Sequence, residues 1–212
     1  MSSNDASRAP VSDAVPPLAE EERLRAEFYE FLSGLLARPP SAEHPRDLGA
    51  LEPGEGEIGA AITNLQRLAA RIDAQTASTE FHDLFIGLGR GELMPFGSYY
   101  MTGFLNEKPL AILRQDMAKL RVERAENVYE PEDNIATLFE IMAGLIRGRF
   151  GDPAPVERQR EFFNRHIAPW AHHFFSDLEG AKGSVLYAPV GTLGRLFMEI
   201  EQEAFRMEGP PS

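Results

Sequence analysis

The chain has 212 residues, 43% of them hydrophobic, which is enough material to bury a sizeable core. It contains no cysteine, so disulfides, thiolate metal sites and a cysteine nucleophile are excluded. Its 33 acidic and 21 basic residues give a formal net charge of -12, a field that repels nucleic acid and anionic membrane surfaces and attracts a basic polypeptide.

Leu and Ala outnumber the β-branched residues, and no run alternates strictly between apolar and polar, so helices are expected rather than sheets. Residues 1–17, rich in Ser, Ala, Asp and Pro, lack an apolar h-region and read as a disordered tail rather than a signal peptide. No apolar run approaches the ~20 residues that span a bilayer, so a cytoplasmic location without stable membrane insertion is expected. A first helix is predicted over Leu18–Ala37, with Leu24, Phe28, Phe31, Leu32, Leu35 and Leu36 on one face and three glutamates in its first turn. Pro39 and Pro40 end it, and a Gly/Pro/Glu-rich connection runs from Ser41 to Gly56. A second amphipathic helix carries Ile58, Ile62, Leu65, Leu68 and Ile72, and Thr79–Phe85 reads as a short third one.

Gly87 to Gly103 is the least regular stretch, with five glycines and Pro95 interleaved with Leu88, Leu93, Met94, Phe96, Tyr99 and Tyr100. Loops are usually polar, so an aromatic one must pack into the core or meet a partner. Helix is predicted again over Pro109–Leu120 and Pro131–Arg147. In the latter, Pro131 takes the first helical position, and Glu132 and Asp133 face the positive end of the dipole. Gly148–Pro155 is the clearest break and a hinge candidate; such hinges permit domain swapping, so the chain is expected as a monomer or a domain-swapped dimer. Val156–Leu178 is aromatic and is kinked or divided by Pro169, and a last helix is predicted over Gly191–Met207. The expectation is an all-α fold, a single-domain helical bundle over residues 18–212.

Catalytic constellations are weak. Gly87-Leu88-Gly89-Arg90-Gly91 invites a phosphate-loop reading, but a preceding strand, a following helix start and a Gly-Lys-Ser/Thr are all missing. His166 and His172 are not at the helical spacing of a metal pair, and no His-Glu-x-x-His occurs. Ser98 lacks the Gly-x-Ser-x-Gly elbow and reads as a turn or cap hydroxyl. No enzyme activity, cofactor or metal is expected.

Four blocks carry a family resemblance. They are Glu80-Phe81-His82-Asp83-Leu84-Phe85, Pro95-Phe96-Gly97-Ser98-Tyr99-Tyr100, Glu130-Pro131-Glu132-Asp133-Asn134 and, more weakly, Gln159 to Trp170 with Phe162 and His166. In this order they resemble the TorD/DmsD/NarJ family of maturation chaperones for molybdenum enzymes. One departure is Asn134, where the family usually has histidine. The resemblance implies an all-α, non-catalytic chaperone. Such a chaperone binds the twin-arginine leader, or the apo form, of a molybdopterin oxidoreductase precursor until its cofactor is inserted. Gly97 to Leu110 is most similar to members that accompany formate dehydrogenases. The residues expected to bind peptide are Leu84, Phe85, Pro95, Phe96, Ser98, Tyr99, Tyr100, Glu130, Glu132, Asp133 and Asn134. Asp133 would meet the arginines and the apolar residues would line a groove. Two other readings stay open: a structural or assembly subunit of an oxidoreductase complex, and a GTP-responsive binding protein using Gly87–Gly91.

Overall fold

A computed structural model describes residues 18–40, 48, 52–124 and 130–207. The tail expected over 1–17 and most of the Ser41–Gly56 connection lie outside the described residues. Nine α-helices occur among the described residues. They are α1 (Glu20–Ala37), α2 (Gly56–Ala69), α3 (Ala74–Phe85), α4 (Gly97–Thr102), α5 (Lys108–Lys119), α6 (Ile135–Arg147), α7 (Val156–Phe162), α8 (Ala171–Gly180) and α9 (Ala188–Met207). The chain is an all-α bundle; the only pairing of strand type among the described residues is an isolated bridge between Phe96 and Asn134.

The bundle is organised around α6, whose face is apolar almost all round: Ile135, Leu138, Phe139, Met142 and Ile146 are fully buried. Helix α1 lies along it, and α9 packs against α8 and α2. In α1 the buried stripe is Ala26, Tyr29, Leu32, Ser33 and Leu36, whereas Leu24, expected on that face, is exposed. The stripe is set by Tyr29, whose hydroxyl donates to Glu201 on α9 at 2.8 Å. Arg25 donates two hydrogen bonds to the same carboxylate, at 2.8 and 2.7 Å. Glu201 is 1% exposed, so this fork compensates a charge that would otherwise be costly to bury. Ile200 on α9, in helical register with the buried Leu193, Leu196 and Phe197, is exposed.

Several boundaries differ from expectation. Helix α3 begins five residues before Thr79 because Asp73 caps it, accepting from the Thr76 amide at 2.8 Å. The Gly87–Gly103 segment is not wholly irregular, since Gly97–Thr102 closes into α4. Pro131 is not the first helical residue of α6. Asn134 is the cap, its Oδ1 accepting from the Ala136 amide at 2.9 Å, so Glu132 and Asp133 precede the helix. Pro169 does divide the aromatic stretch, and a π-helical turn (Phe163–Ile167) leads into the break. The Gly148–Pro155 segment forms a closed turn: Gly148 is left-handed (φ 73°), and the Ala154 amide returns to Leu145 O at 2.8 Å.

Helix α9 reaches α8 closely through Gly194, where an added Cβ would overlap the Phe175 ring. Gly194→Ala is therefore expected to destabilise the bundle by about 1–3 kcal/mol, because a fully buried phenylalanine has no free volume to move into. Urea denaturation checks this as a lower midpoint at unchanged slope.

Candidate functional site

The second and third motif blocks are joined to each other by backbone. Gly97 N donates to Asp133 O at 2.9 Å, and Ile135 N donates to Pro95 O at 2.9 Å. The Asp133 carboxylate completes the clasp, its Oδ2 accepting from Ser98 N at 2.6 Å. It thereby satisfies an amide that the first turn of α4 leaves without a helical partner. Its other oxygen, Oδ1, is buried and has no hydrogen-bond partner, and the same is true of the neighbouring Ser98 Oγ. An unsatisfied carboxylate oxygen at 3% residue exposure requires an explanation, because native structures leave few such atoms.

The fourth block closes on the same place. Trp170 Nε1 donates to His166 O at 2.8 Å, and the indole lies over α4. A Cβ on Gly97 would sit 2.9 Å from Trp170 Nε1, which is why the block needs glycine there. Tyr100 stacks on Trp170 with ring centroids 5.4 Å apart and donates to Asp177 Oδ2 at 2.9 Å. Burial, and then that bond, push the Tyr100 phenol far above its ordinary range. The first block is an anchor on the far side: Glu80 accepts from the amides of Val185 and Tyr187 at 2.7 and 2.9 Å.

The expected binding residues therefore separate into groups. Leu84 is fully buried, and Phe85 packs on Phe81 and Tyr187 with centroids 5.0 and 5.5 Å apart. Pro95, Phe96, Ser98, Asp133 and Asn134 meet in the clasp. Tyr99 is half-buried, with the Arg90 guanidinium 5.8 Å from its ring centroid. Glu132 is engaged by Arg114 at 2.8 Å and by Arg124 at 3.6 Å. Burial raises its pKa, but the Arg114 bond and the two guanidinium charges outweigh that and leave it below the ordinary value. Glu130 is exposed and makes no ion pair among the described residues.

Asp133 lines a pocket of about 330 Å³ between α4, α5, α6 and the π-helical turn, while Glu132 lines a separate, basic one with Arg114, Arg121 and Arg124. The walls of the Asp133 pocket are mainly apolar, from Met101, Pro109, Ile112, Leu113 and Leu138, with Thr102, Lys108, Arg165 and His166 also in the lining. Sequence reasoning missed this wall, because Ile112, Leu113 and Leu138 have the spacing of ordinary core. A signal lay in Met101, Phe104 and Leu105, an apolar run just past Tyr100 that is exposed in the structure.

His166 is buried and its Nε2 lies 3.1 Å from Asp116 Oδ2. Burial lowers the imidazole pKa, and Asp116 offsets this only in part. For Asp116, burial raises the pKa, but Lys119, Arg165 and His166 together hold it below the ordinary carboxylate value. Both depressed values have the same sign for stability. The unfolded chain binds the His166 proton first, near pH ~6.5, and the Asp116 proton near ~3.9. Stability is then complete above pH ~6.5 and falls as the pH drops through that value and again in the carboxylate range. Thermal melts between pH 5 and 8 are expected to show the decline below about pH 6.5, with His166→Gln flattening it.

The Gly87–Gly91 loop follows the C-terminal end of α3, with Gly87 N and Ile86 N both donating to His82 O at 2.8 Å. A phosphate loop requires the opposite end of a helix. Among the described residues there is no cluster of three or more His, Asp or Glu able to hold a metal ion, and no helix is long and apolar enough to cross a membrane.

The family model for the nitrate reductase delta subunit matches residues 52–176, a span that contains all four motif blocks. The chain belongs to the TorD/DmsD/NarJ family of chaperones. It is 28% identical over 201 residues to the chaperone protein TorD of Vibrio atlanticus, covering 84% of this chain and 93% of that one. The TorD of Vibrio parahaemolyticus is 29% identical over 172 residues, 71% of this chain and 80% of its own length. A crystal structure from Archaeoglobus fulgidus, described as a candidate redox enzyme maturation protein, shares the fold at a TM-score of 0.54. It has 18% identity and covers 83% of this chain and 94% of that one. In this TorD-family member, the shared motifs thus build a clasp with one free carboxylate oxygen beside an apolar pocket.

Proposed function

We propose that this chain is a cytoplasmic chaperone that binds the N-terminal segment of a molybdopterin oxidoreductase precursor and holds the precursor until its cofactor is inserted. The observation that carries the reading is Asp133: a carboxylate with one oxygen committed to the clasp and one without a partner, beside an apolar pocket on a chain of net charge -12. A twin-arginine leader offers a complementary pair of features, guanidinium groups followed by an apolar stretch. The guanidinium supplies donors to Asp133 Oδ1, and the apolar residues fill the space between Met101, Pro109, Ile112 and Leu138. Exposed Glu130 adds charge at the approach, which governs encounter rate more than final affinity. No bond-making step is required of any residue.

Formate dehydrogenase is the client class to test first, on the strength of the Gly97–Leu110 block. The test is titration calorimetry of the full chain with a peptide spanning the client's N-terminus. Saturable binding that weakens when the paired arginines become glutamines is expected; absence of binding to any such leader sinks the reading. The description of the matched family as a delta subunit favours a second reading, a subunit retained in the finished enzyme. Purification of the mature oxidoreductase decides between them, since a chaperone is absent from it.

A further inference from the structure

The pocket beside Asp133 shares two of its lining residues, Arg165 and His166, with a second and larger hollow of about 740 Å³. The other walls of that hollow include Asp116 and Lys119 on α5 and Arg158, Glu161 and Phe162 on α7. One groove thus runs from an apolar half, with Leu113 and Leu138 buried in its wall, to a polar half between α5 and α7.

The groove has the opposite charge to the chain. Apart from buried Asp133, its charged lining is Lys108, Lys119, Arg158 and Arg165 against Asp116 and Glu161. Four cations therefore meet two carboxylates on a protein of net charge -12. Asp116 is already shared, accepting from Lys119 Nζ at 2.7 Å and from Arg165 Nη1 at 2.9 Å, with His166 Nε2 3.1 Å away. One carboxylate does not neutralise two full cations, and the Arg165 side chain is 60% exposed. Lys108 and Arg158 are exposed, and neither makes an ion pair among the described residues. Unpaired cations beside apolar surface add nothing to the fold, but they favour a ligand that brings anionic and apolar groups together.

We propose that the polar half of the groove receives a carboxylate-bearing stretch of the client, continuous with the apolar residues in the Asp133 pocket. The inference rests on the reading of that pocket as a client site. Hollows that share two residues take adjacent parts of one extended segment, so the acidic residues directly flank the apolar ones. Arg158 and Arg165 face the carboxylates, and Lys108 stands at the mouth of the apolar half. A segment with lysine or arginine at that flank is rejected, because it sets like charges side by side.

Two blocked peptides without arginine test this by calorimetric titration of the full chain. One is an apolar stretch followed by two aspartates, and the other carries asparagines in their place. The aspartate peptide is expected to bind about fivefold more tightly at low ionic strength and to lose that advantage in high salt. Lys108→Gln with Arg158→Gln is expected to abolish the advantage without moving the melting midpoint, since neither residue has a partner to lose. Equal affinities in the wild-type chain, no binding of either peptide, or a preference that survives the double variant each overturn the proposal. A peptide with two adjacent arginines before the apolar stretch is titrated separately. If the aspartate peptide behaves as expected but no arginine-bearing leader binds, the basic groove stands and the Asp133 reading fails. If leaders bind and the aspartates change nothing, the Asp133 reading stands and the basic groove is ruled out.

Discussion

Trp170→Ala is expected to lower the stability of the bundle by about 3–5 kcal/mol, the usual range for deleting a buried aromatic. The indole is 1% exposed and serves three partners at once. It covers Gly97 at the start of α4, stacks on Tyr100, and ties its Nε1 to the His166 carbonyl in the π-helical turn. Losing it opens a cavity beneath α4 and leaves a buried carbonyl short of its donor. For a chain of this size, each kcal/mol corresponds to about 2–4 °C, so a fall of roughly 10 °C in the melting midpoint is expected. A midpoint within 2 °C of wild type would mean that the cavity collapses without cost, contrary to the close packing around Gly97.

Asp133 separates stability from binding. Asp133→Ala is expected to cost about 2–3 kcal/mol, because it strips a charged acceptor from the buried Ser98 amide. Asp133→Asn keeps an acceptor oxygen in place and is expected to cost about 1 kcal/mol or less. Binding of a twin-arginine peptide should fall at least about tenfold in both variants, since neither offers a carboxylate to a guanidinium. Circular dichroism melts and calorimetric titration on the same samples read the two effects. A stable Asp133→Asn protein with wild-type affinity would make Asp133 a clasp and nothing more.

The same residues show how far the sequence could be read. The apolar spacing of Ile135, Leu138, Phe139, Met142, Leu145 and Ile146 locates α6, but not the burial of Ile141, Ala143 and Gly144 between them, because a helix packed almost all round leaves no one-sided period in the sequence. Pro131 misled because proline favours the first turn, yet Asn134 is among the best capping residues and took that role three positions later. Leu24 and Ile200 sit at core spacing and are exposed, because the Arg25–Glu201–Tyr29 network decides how α1 and α9 are rotated toward each other.

For the site, the motif blocks name residues that the structure brings together only in part. Leu84 lies in the core and the partly buried Phe85 packs against it, Pro95, Phe96, Ser98 and Asn134 belong to the clasp, and the pocket wall comes from α5 and Leu138. By itself the sequence determined the helical class, the acidic surface, the absence of thiol chemistry and the family, because composition, periodicity and short motifs are local properties. Only the tertiary structure decided that Asp133 has one bound and one unpartnered oxygen, and that α5 and Leu138 bring an apolar wall to the pocket this residue lines. These are relations between segments far apart in the chain, set by packing and by buried hydrogen bonds, and no local pattern encodes which partner a buried carboxylate will find.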